Sequence, residues 1–363
     1  MQEFGYIKLV LFCFMIINKV SGQAGLSSHQ IKMHEKSILA LPVIFKFPET
    51  GWGGGLVSNF SFAFGKDSAE AKHSQFNIGA TITQNKQVLI FFPFRIFTRN
   101  NKFYFFSENG WYKFNYLYGG IGENRVPDEK FDTKYFRLRL LASKQIRHAI
   151  YGGIRINIED YDVTKTVEGG ELSTGKINGS DYSRTMGLGP SVLIDTRDAV
   201  FYPTKGIYAE FYSTISSKLF GANRTFTNLT SDVTSYKSLN KDAVLANQIL
   251  FISNIGDVPF NQLGFLGGQK KMRGLYEGYY RDKNVLLLQS EWRQIVWKRL
   301  GVVFFGSVAK LGNEQNFLRF SKPKWSYGAG LRVATKNHLN IRIDYAYSKY
   351  NKGNFYATVG EAF

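Results

Sequence analysis

Ile341-Arg342-Ile343-Asp344-Tyr345-Ala346-Tyr347 decides how the whole chain is read. Successive side chains of a strand point to opposite faces, so Ile341, Ile343, Tyr345 and Tyr347 share one side while Arg342 and Asp344 share the other. The same alternation governs Phe131 to Gln145, where Tyr135, Arg137, Arg139 and Leu141 oppose Phe136, Leu138 and Leu140. A soluble sandwich also alternates, but its charged side faces water and its apolar side is a packed core. Here the apolar side is heavily aromatic, which suits the interfacial girdles of a strand that crosses a bilayer.

Alternation of this kind recurs along the chain and gives sixteen candidate strands. They are Ile38 to Phe47, Trp52 to Phe64, His73 to Thr83, Gln87 to Phe97, Lys102 to Tyr118 and Phe131 to Gln145. His148 to Asp160, Ser183 to Asp195, Lys205 to Ser217, Thr234 to Asn240 and Ala243 to Ile255 follow. The last five are Asn284 to Trp297, Gly301 to Leu311, Lys324 to Val333, His338 to Ser348 and Asn354 to Phe363. A bulge is expected at Asn109-Gly110. Several strands reach the ~9–11 residues needed to cross a membrane at a tilt. An unpaired strand edge in hydrocarbon costs several kcal/mol per group, so such strands close on themselves. The fold class is therefore all-β, a sixteen-stranded antiparallel transmembrane β-barrel. Short turns such as Gln84 to Lys86 are expected at the periplasmic end. The long connections Gly120 to Lys130, Thr164 to Tyr182, Gly221 to Asp232 and Gly256 to Lys283 are expected at the exterior.

Composition agrees. The chain has 32 Phe, 21 Tyr and 36 Gly but only 8 Pro, as many strands with tight turns require. No stretch approaches eighteen consecutive apolar residues, so a transmembrane helix is not expected. Residues 1–22 read as a signal peptide: Lys8, then the apolar run from Leu9 to Ile17, then small residues with cleavage expected after Gly22. Residues 23–37 form a short periplasmic lead, and residues 38–363 the outer-membrane barrel. The only cysteine, Cys13, lies in the leader, so no disulfide framework or thiolate metal site is expected. The five histidines are scattered without ligand spacing, which predicts no metal. No cofactor is expected. The formal charge of +18 points, for an exported chain, to outer-membrane lipid and lipopolysaccharide as partners rather than nucleic acid. There is no Gly-x-Ser-x-Gly and no His spaced with a Ser and a carboxylate, so an enzyme is not expected.

One stretch is too glycine-rich and charged to be a strand: Gly264 to Tyr276, with Gly267, Gly268, Arg273 and Gly274, running on to Tyr280-Arg281-Asp282. It falls between the eleventh and twelfth strands. Three further segments stand out: Asp195-Thr196-Arg197-Asp198 followed by Pro203 and Gly206; Glu291-Trp292-Arg293; and Gly328 through Asp344 to Ala362-Phe363. In this order the four segments resemble the bacterial surface antigen superfamily, the BamA/TamA-type outer-membrane assembly barrels, over residues 39–363. The resemblance implies a long loop folded into the lumen. It makes Arg273 the docking residue of that loop, with Asp344 and Glu291 as candidate partners and Tyr276 in place of the aromatic that usually follows the Arg-Gly pair. It also makes Phe363 the end of a C-terminal insertion signal. Assembly members carry periplasmic POTRA domains before the barrel. Residues 23–37 are too few for one, so the expectation is a POTRA-less member served by another envelope protein.

The expected function is accordingly to aid assembly or translocation of proteins or lipids at the bacterial outer membrane, through a seam between the first and last strands. The alternative is a passive pore or structural subunit of an outer-membrane complex, with the glycine-rich loop as a fixed plug.

Overall fold

A computed structural model describes residues 37–62, 64, 74–199, 202–317, 323–334 and 340–363. The assigned leader and all but the last residue of the lead lie outside the described residues. The first half of the wall is β1 (Ser37–Phe47), β2 (Gly51–Phe62), β3 (Ser74–Thr83), β4 (Val88–Phe91), β5 (Phe94–Phe97), β6 (Phe103–Tyr118), β7 (Glu129–Arg147) and β8 (Ile150–Lys165). Then come β9 (Tyr182–Asp195), β10 (Gly206–Ser216), β11 (Phe226–Asn240) and β12 (Ala243–Gly256). A short hairpin, β13 (Gly264–Leu266) and β14 (Tyr280–Asp282), precedes β15 (Asn284–Trp297), β16 (Leu300–Gly312), β17 (Lys324–Ala334), β18 (Asn340–Ser348) and β19 (Asn351–Val359).

All but the hairpin join one antiparallel sheet, closed by the pairing of β1 with β19. β4 and β5 both lie between β3 and β6 in unbroken register, so they are halves of one stave and the barrel has sixteen. The break falls at Phe92-Pro93, where proline withholds a ladder donor. The bulge expected at Asn109-Gly110 is absent: β6 and β7 pair without a register shift from Phe103↔Lys144 to Tyr118↔Glu129. The interruption belongs to the neighbouring stave instead.

Burial is inside out relative to a soluble protein. Ile44, Leu56, Ile82, Ile154, Phe211, Ile249, Phe304 and Tyr345 are exposed, while Arg155, Glu159, Glu291, Arg293, Arg332, Arg342 and Asp344 are buried on the opposite parity. β7 marks the height of the apolar band. Its outward side chains run Lys134, Phe136, Leu138, Leu140, Ala142, Lys144. Ten residue steps at about 3.3 Å, tilted by about 40°, rise about 25 Å, the height of a lipid-facing band. β7 continues beyond Lys134 to Glu129, so it stands clear of the band at that end.

Three expectations are corrected. Successive staves are antiparallel, so residues 84–87 sit at the same end as the long connections, and Asn85 Nδ2 bonds Glu49 O at 2.8 Å there. The four long connections do share one rim, as expected, but that rim also carries the short turns 48–50, 84–87 and 349–350. β11 begins at Phe226, not Thr234, because its inward Asn228 and Asp232 pair with Asn254 (2.9 Å) and Gln248 (2.7 Å) of β12. Those polar residues look like loop in one dimension. The last strand is Asn351–Val359 rather than 354–363; Gly360 turns the chain away with φ 91°, leaving Phe363 beyond the ladder.

Candidate functional site

Residues 257–283, between β12 and β15, lie against the charged face of the wall. Gly267 takes φ 104°, and a Cβ there would stand 2.1 Å from Tyr276 O, so only glycine lets the segment double back. The returning backbone closes with Gly267 N to Lys271 O at 2.5 Å and Gly268 N to Leu275 O at 3.1 Å. Leu266, Met272, Leu275 and Tyr280 then pack on Leu250, Ile252, Val285, Leu287 and Ala309 of β12, β15 and β16. Each fully buried apolar side chain of this size contributes about 1.5–3 kcal/mol relative to exposure, so apolar packing alone seats the connection firmly. Leu275, fully buried, occupies the core place next to the Arg-Gly pair, while Tyr276 is only half-buried.

The structure brings Arg273 together with both Glu291 and Asp344. Nη2 donates to Glu291 Oε2 at 2.5 Å and Nη1 to Asp344 Oδ2, and Phe305 lies beneath the guanidinium at 3.5 Å. These are members of a larger buried network that sequence reasoning missed. Arg293 Nε reaches Glu291 Oε1 at 2.7 Å, Arg332 Nη1 reaches Asp344 Oδ1 at 2.5 Å, and Arg332 Nε reaches Glu361 at 3.0 Å. Arg342 Nη2 donates to Gln269 Oε1 of the connection at 3.0 Å. Every charge has an opposite neighbour, which is the condition for burying ions at all. Arg293, Arg332 and Arg342 are signalled in the sequence by their alternate positions on β15, β17 and β18 and by lying in the motif segments; Glu361 and Gln269, outside the strands, leave no such signal.

Gly274 has φ 102°, and a Cβ would meet Ser326 Cβ at 3.2 Å. Its N–H donates to Tyr356 Oη at 2.8 Å and its carbonyl accepts from Ser348 Oγ at 2.9 Å. Three residues on, Glu277 N donates to Glu49 Oε1 at 2.6 Å. The base of the connection has its own anchor. Phe260 is enclosed edge-on by Tyr118, Phe131 and Tyr161, with centroids 5.6–6.2 Å apart. Asn261 Nδ2 and Gln262 Nε2 both donate to Glu159 Oε1, at 2.9 and 2.7 Å.

The second motif builds the turn from β9 to β10. Arg197 holds Asp195 with Nε at 2.9 Å and Nη2 at 3.1 Å. Asp198 accepts from Thr204 N at 2.9 Å, Lys205 N at 3.2 Å and Ala199 N at 3.0 Å, while Pro203 is buried. Gly206 closes the turn at φ 105°. Within this turn, burial first and the charge of Glu361 second push the Tyr202 phenol up, with Arg293 and Arg332 opposing. The turn thus borders the far end of the Arg273 network. Phe363 is there too: Arg293 Nη2 donates to its main-chain oxygen at 3.1 Å. Among the described residues no three His, Cys, Asp or Glu side chains gather as around a metal ion.

A closed sixteen-stave barrel, apolar outside and ion-paired within, defines a transmembrane β-barrel of the outer-membrane type. The model of the Omp85 superfamily domain matches residues 123–363, and the chain belongs to that superfamily, in the bacterial outer membrane. Among solved structures it is similar to BamA from Haemophilus ducreyi lacking POTRA domains 1–3, at TM-score 0.60 and 11% identity, covering 94% of this chain and 77% of that one. It is also similar to CdiB from Escherichia coli (TM-score 0.58, 10% identity, 92% of this chain and 68% of that one). CdiB from Acinetobacter baumannii gives TM-score 0.55 and 10% identity over 90% of this chain, which spans only 59% of that protein. Likeness at these identities speaks for the fold alone. No curated protein sequence matches the chain.

Proposed function

We propose that this barrel aids insertion or translocation of proteins or lipids at the outer membrane, by opening between its first and last strands, with a separate envelope protein delivering the substrate. The observation that carries this reading is the seam. β1 and β19 share one ladder pair, Lys46↔Ala357, whereas the other neighbouring staves pair along most of their length. Unpaired strand edges are templates for another strand, and in hydrocarbon their groups cost several kcal/mol each to leave unmade. Strands flanking the seam are also short, with β18 and β19 at 9 residues and β1 at 11, against 19 in β7. A shorter wall favours a locally thinner bilayer, which lowers the barrier to insertion. Depleting the protein should lower the levels of other outer-membrane proteins or disturb lipid asymmetry; normal envelopes after depletion would sink the proposal. Co-purification from native membranes identifies the delivery partner.

A second reading, a pore with residues 257–283 as a fixed plug in its lumen, is favoured by the anchoring of that connection at both Arg273 and Phe260. Removing residues 264–281 should then raise single-channel conductance, and unchanged conductance rejects the plug.

A further inference from the structure

The seam has little ladder of its own, yet its two sides are held by something else. Glu49 lies in the connection between β1 and β2, on one side; Tyr356 lies in β19, on the other. Both accept a hydrogen bond from the same short stretch of residues 257–283. Gly274 N reaches Tyr356 Oη at 2.8 Å, and Glu277 N reaches Glu49 Oε1 at 2.6 Å. Phe47 of β1 faces Tyr356 across the seam with ring centroids 6.5 Å apart. A cavity of about 320 Å³ lies under this bridge, lined in part by Phe45, Glu49, Gln269, Glu277 and Thr358, which come from β1, the β1–β2 turn, the connection and β19.

We propose that Glu49 and Tyr356 are positioning residues that clasp residues 274–277 across the inner side of the seam, so that the connection, rather than the strand ladder, keeps β1 and β19 together. The proposal deepens the seam-opening reading and rests on it only for its biological meaning. The physical ground is that two main-chain amides three residues apart are tied to opposite edges of a joint. The stretch between them is fixed in turn by Arg273, itself paired to β15 and β18. The edges therefore separate only when one of these bonds breaks.

The Glu49 end is sensitive to charge. Burial first, and the neighbouring Glu277 second, push the Glu49 carboxyl up to about 8, against the lowering effect of the Glu277 N–H. Tyr276 of the connection and Tyr356 of β19 also feel its charge. Glu277 in turn faces Lys271 and Lys270 of its own connection and Arg137 and Arg139 of β7. Released into water, the carboxyl would titrate near the ordinary value of about 4.3. The clasped state therefore holds the proton more tightly, so the clasp is strongest at low pH and weakens as pH rises toward 8.

The test is amide hydrogen exchange of the full chain in lipid nanodiscs, read on peptides from β1 and β19 and corrected for the intrinsic effect of pH. Tyr356→Phe and Glu49→Ala each remove one acceptor, worth about 1 kcal/mol, so opening of the seam should rise roughly fivefold, with β7 and β8 unchanged. Glu49→Gln keeps an oxygen for Glu277 N but has no charge. It should match the wild type at low pH and abolish the rise in seam exchange that the wild type shows between about pH 5 and pH 8. Both Glu49→Gln and Tyr356→Phe are near-isosteric, so a folding failure of Glu49→Ala leaves the test intact. Unchanged exchange in both conservative variants across that range would overturn the clasp. Raised exchange with a normal envelope on depletion keeps the clasp and removes the assembly function; a damaged envelope with unchanged exchange does the reverse.

Discussion

Replacing Arg273 by alanine removes two charge-assisted hydrogen bonds, to Glu291 and Asp344, and the stacking on Phe305. Bonds of this kind contribute about 1.5–3 kcal/mol each. The full penalty of an orphaned buried ion, about 3–5 kcal/mol, does not apply on top. Glu291 keeps Arg293 at 2.7 Å and Asp344 keeps Arg332 at 2.5 Å. The expected loss is therefore about 3 kcal/mol, and it should fall on the docking of the connection rather than on the barrel, whose ladders are untouched. That corresponds to a rise of roughly a hundredfold in the population of released connection. Limited trypsinolysis at Lys270 and Lys271 in intact vesicles reads this population, and heat-modifiability on a gel reads the barrel. Arg273→Lys should sit between, because one ammonium reaches one carboxylate and not both. A cleavage rate for Arg273→Ala within threefold of the wild type, or equal effects of alanine and lysine, would refute the reasoning.

Phe260→Ala should cost about 3–5 kcal/mol by emptying the aromatic enclosure, and should raise conductance at the outer mouth without releasing Arg273; denaturant titration and planar-bilayer recording check the two halves. At the β9–β10 turn, burial alone would lift the Asp198 carboxyl, but Thr204, Lys205 and Ala199 outweigh it and hold the group below the usual range. Its contribution is then present above the ordinary pKa and lost as pH falls through the lowered value. Exchange of residues 196–205 should accelerate below about pH 4 in the wild type, and Asp198→Asn should show the faster rate at neutral pH already. Deleting Phe363 should reduce membrane insertion in cells, measured as the folded fraction in outer-membrane preparations; unchanged insertion argues that its contact with Arg293 serves only the finished barrel.

The strands were legible wherever one face meets lipid and the other meets charge, as in β7 and β18. β15 is legible over its whole observed length, Asn284–Trp297, although Val285-Leu286-Leu287-Leu288 does not alternate; there the inner face is covered by Leu266, Met272 and Leu275 of the connection and so is apolar as well. The first half of β11 is where the bounds were lost: Thr227, Asn228, Thr230, Ser231 and Asp232 put polar side chains on both faces, and the segment imitates a loop. The Arg273 stretch was singled out by its glycines, and its partners through a resemblance. Glu49, separated from Glu277 by 228 positions, leaves no local trace, because only the packing of residues 257–283 against the wall of the closed barrel brings the two together. The supporting guanidiniums Arg293, Arg332 and Arg342 fall inside segments that carry the resemblance, but their joint role around Glu291 and Asp344 emerges only once four staves are side by side.

The unequal heights of the wall have a consequence for approach from the exterior. On the β6–β8 side the strands rise past the lipid band and carry the longer connections, so a large particle meets a parapet before it meets the bilayer. Near β1, β2 and β19 the rim is low, closed only by residues 48–50, 84–87 and 349–350. An antibody raised against the long rim is therefore expected to leave the seam uncovered. A reagent meant to block the seam has to bind a shallow ledge near the level of the lipid headgroups, with few protruding residues to grip.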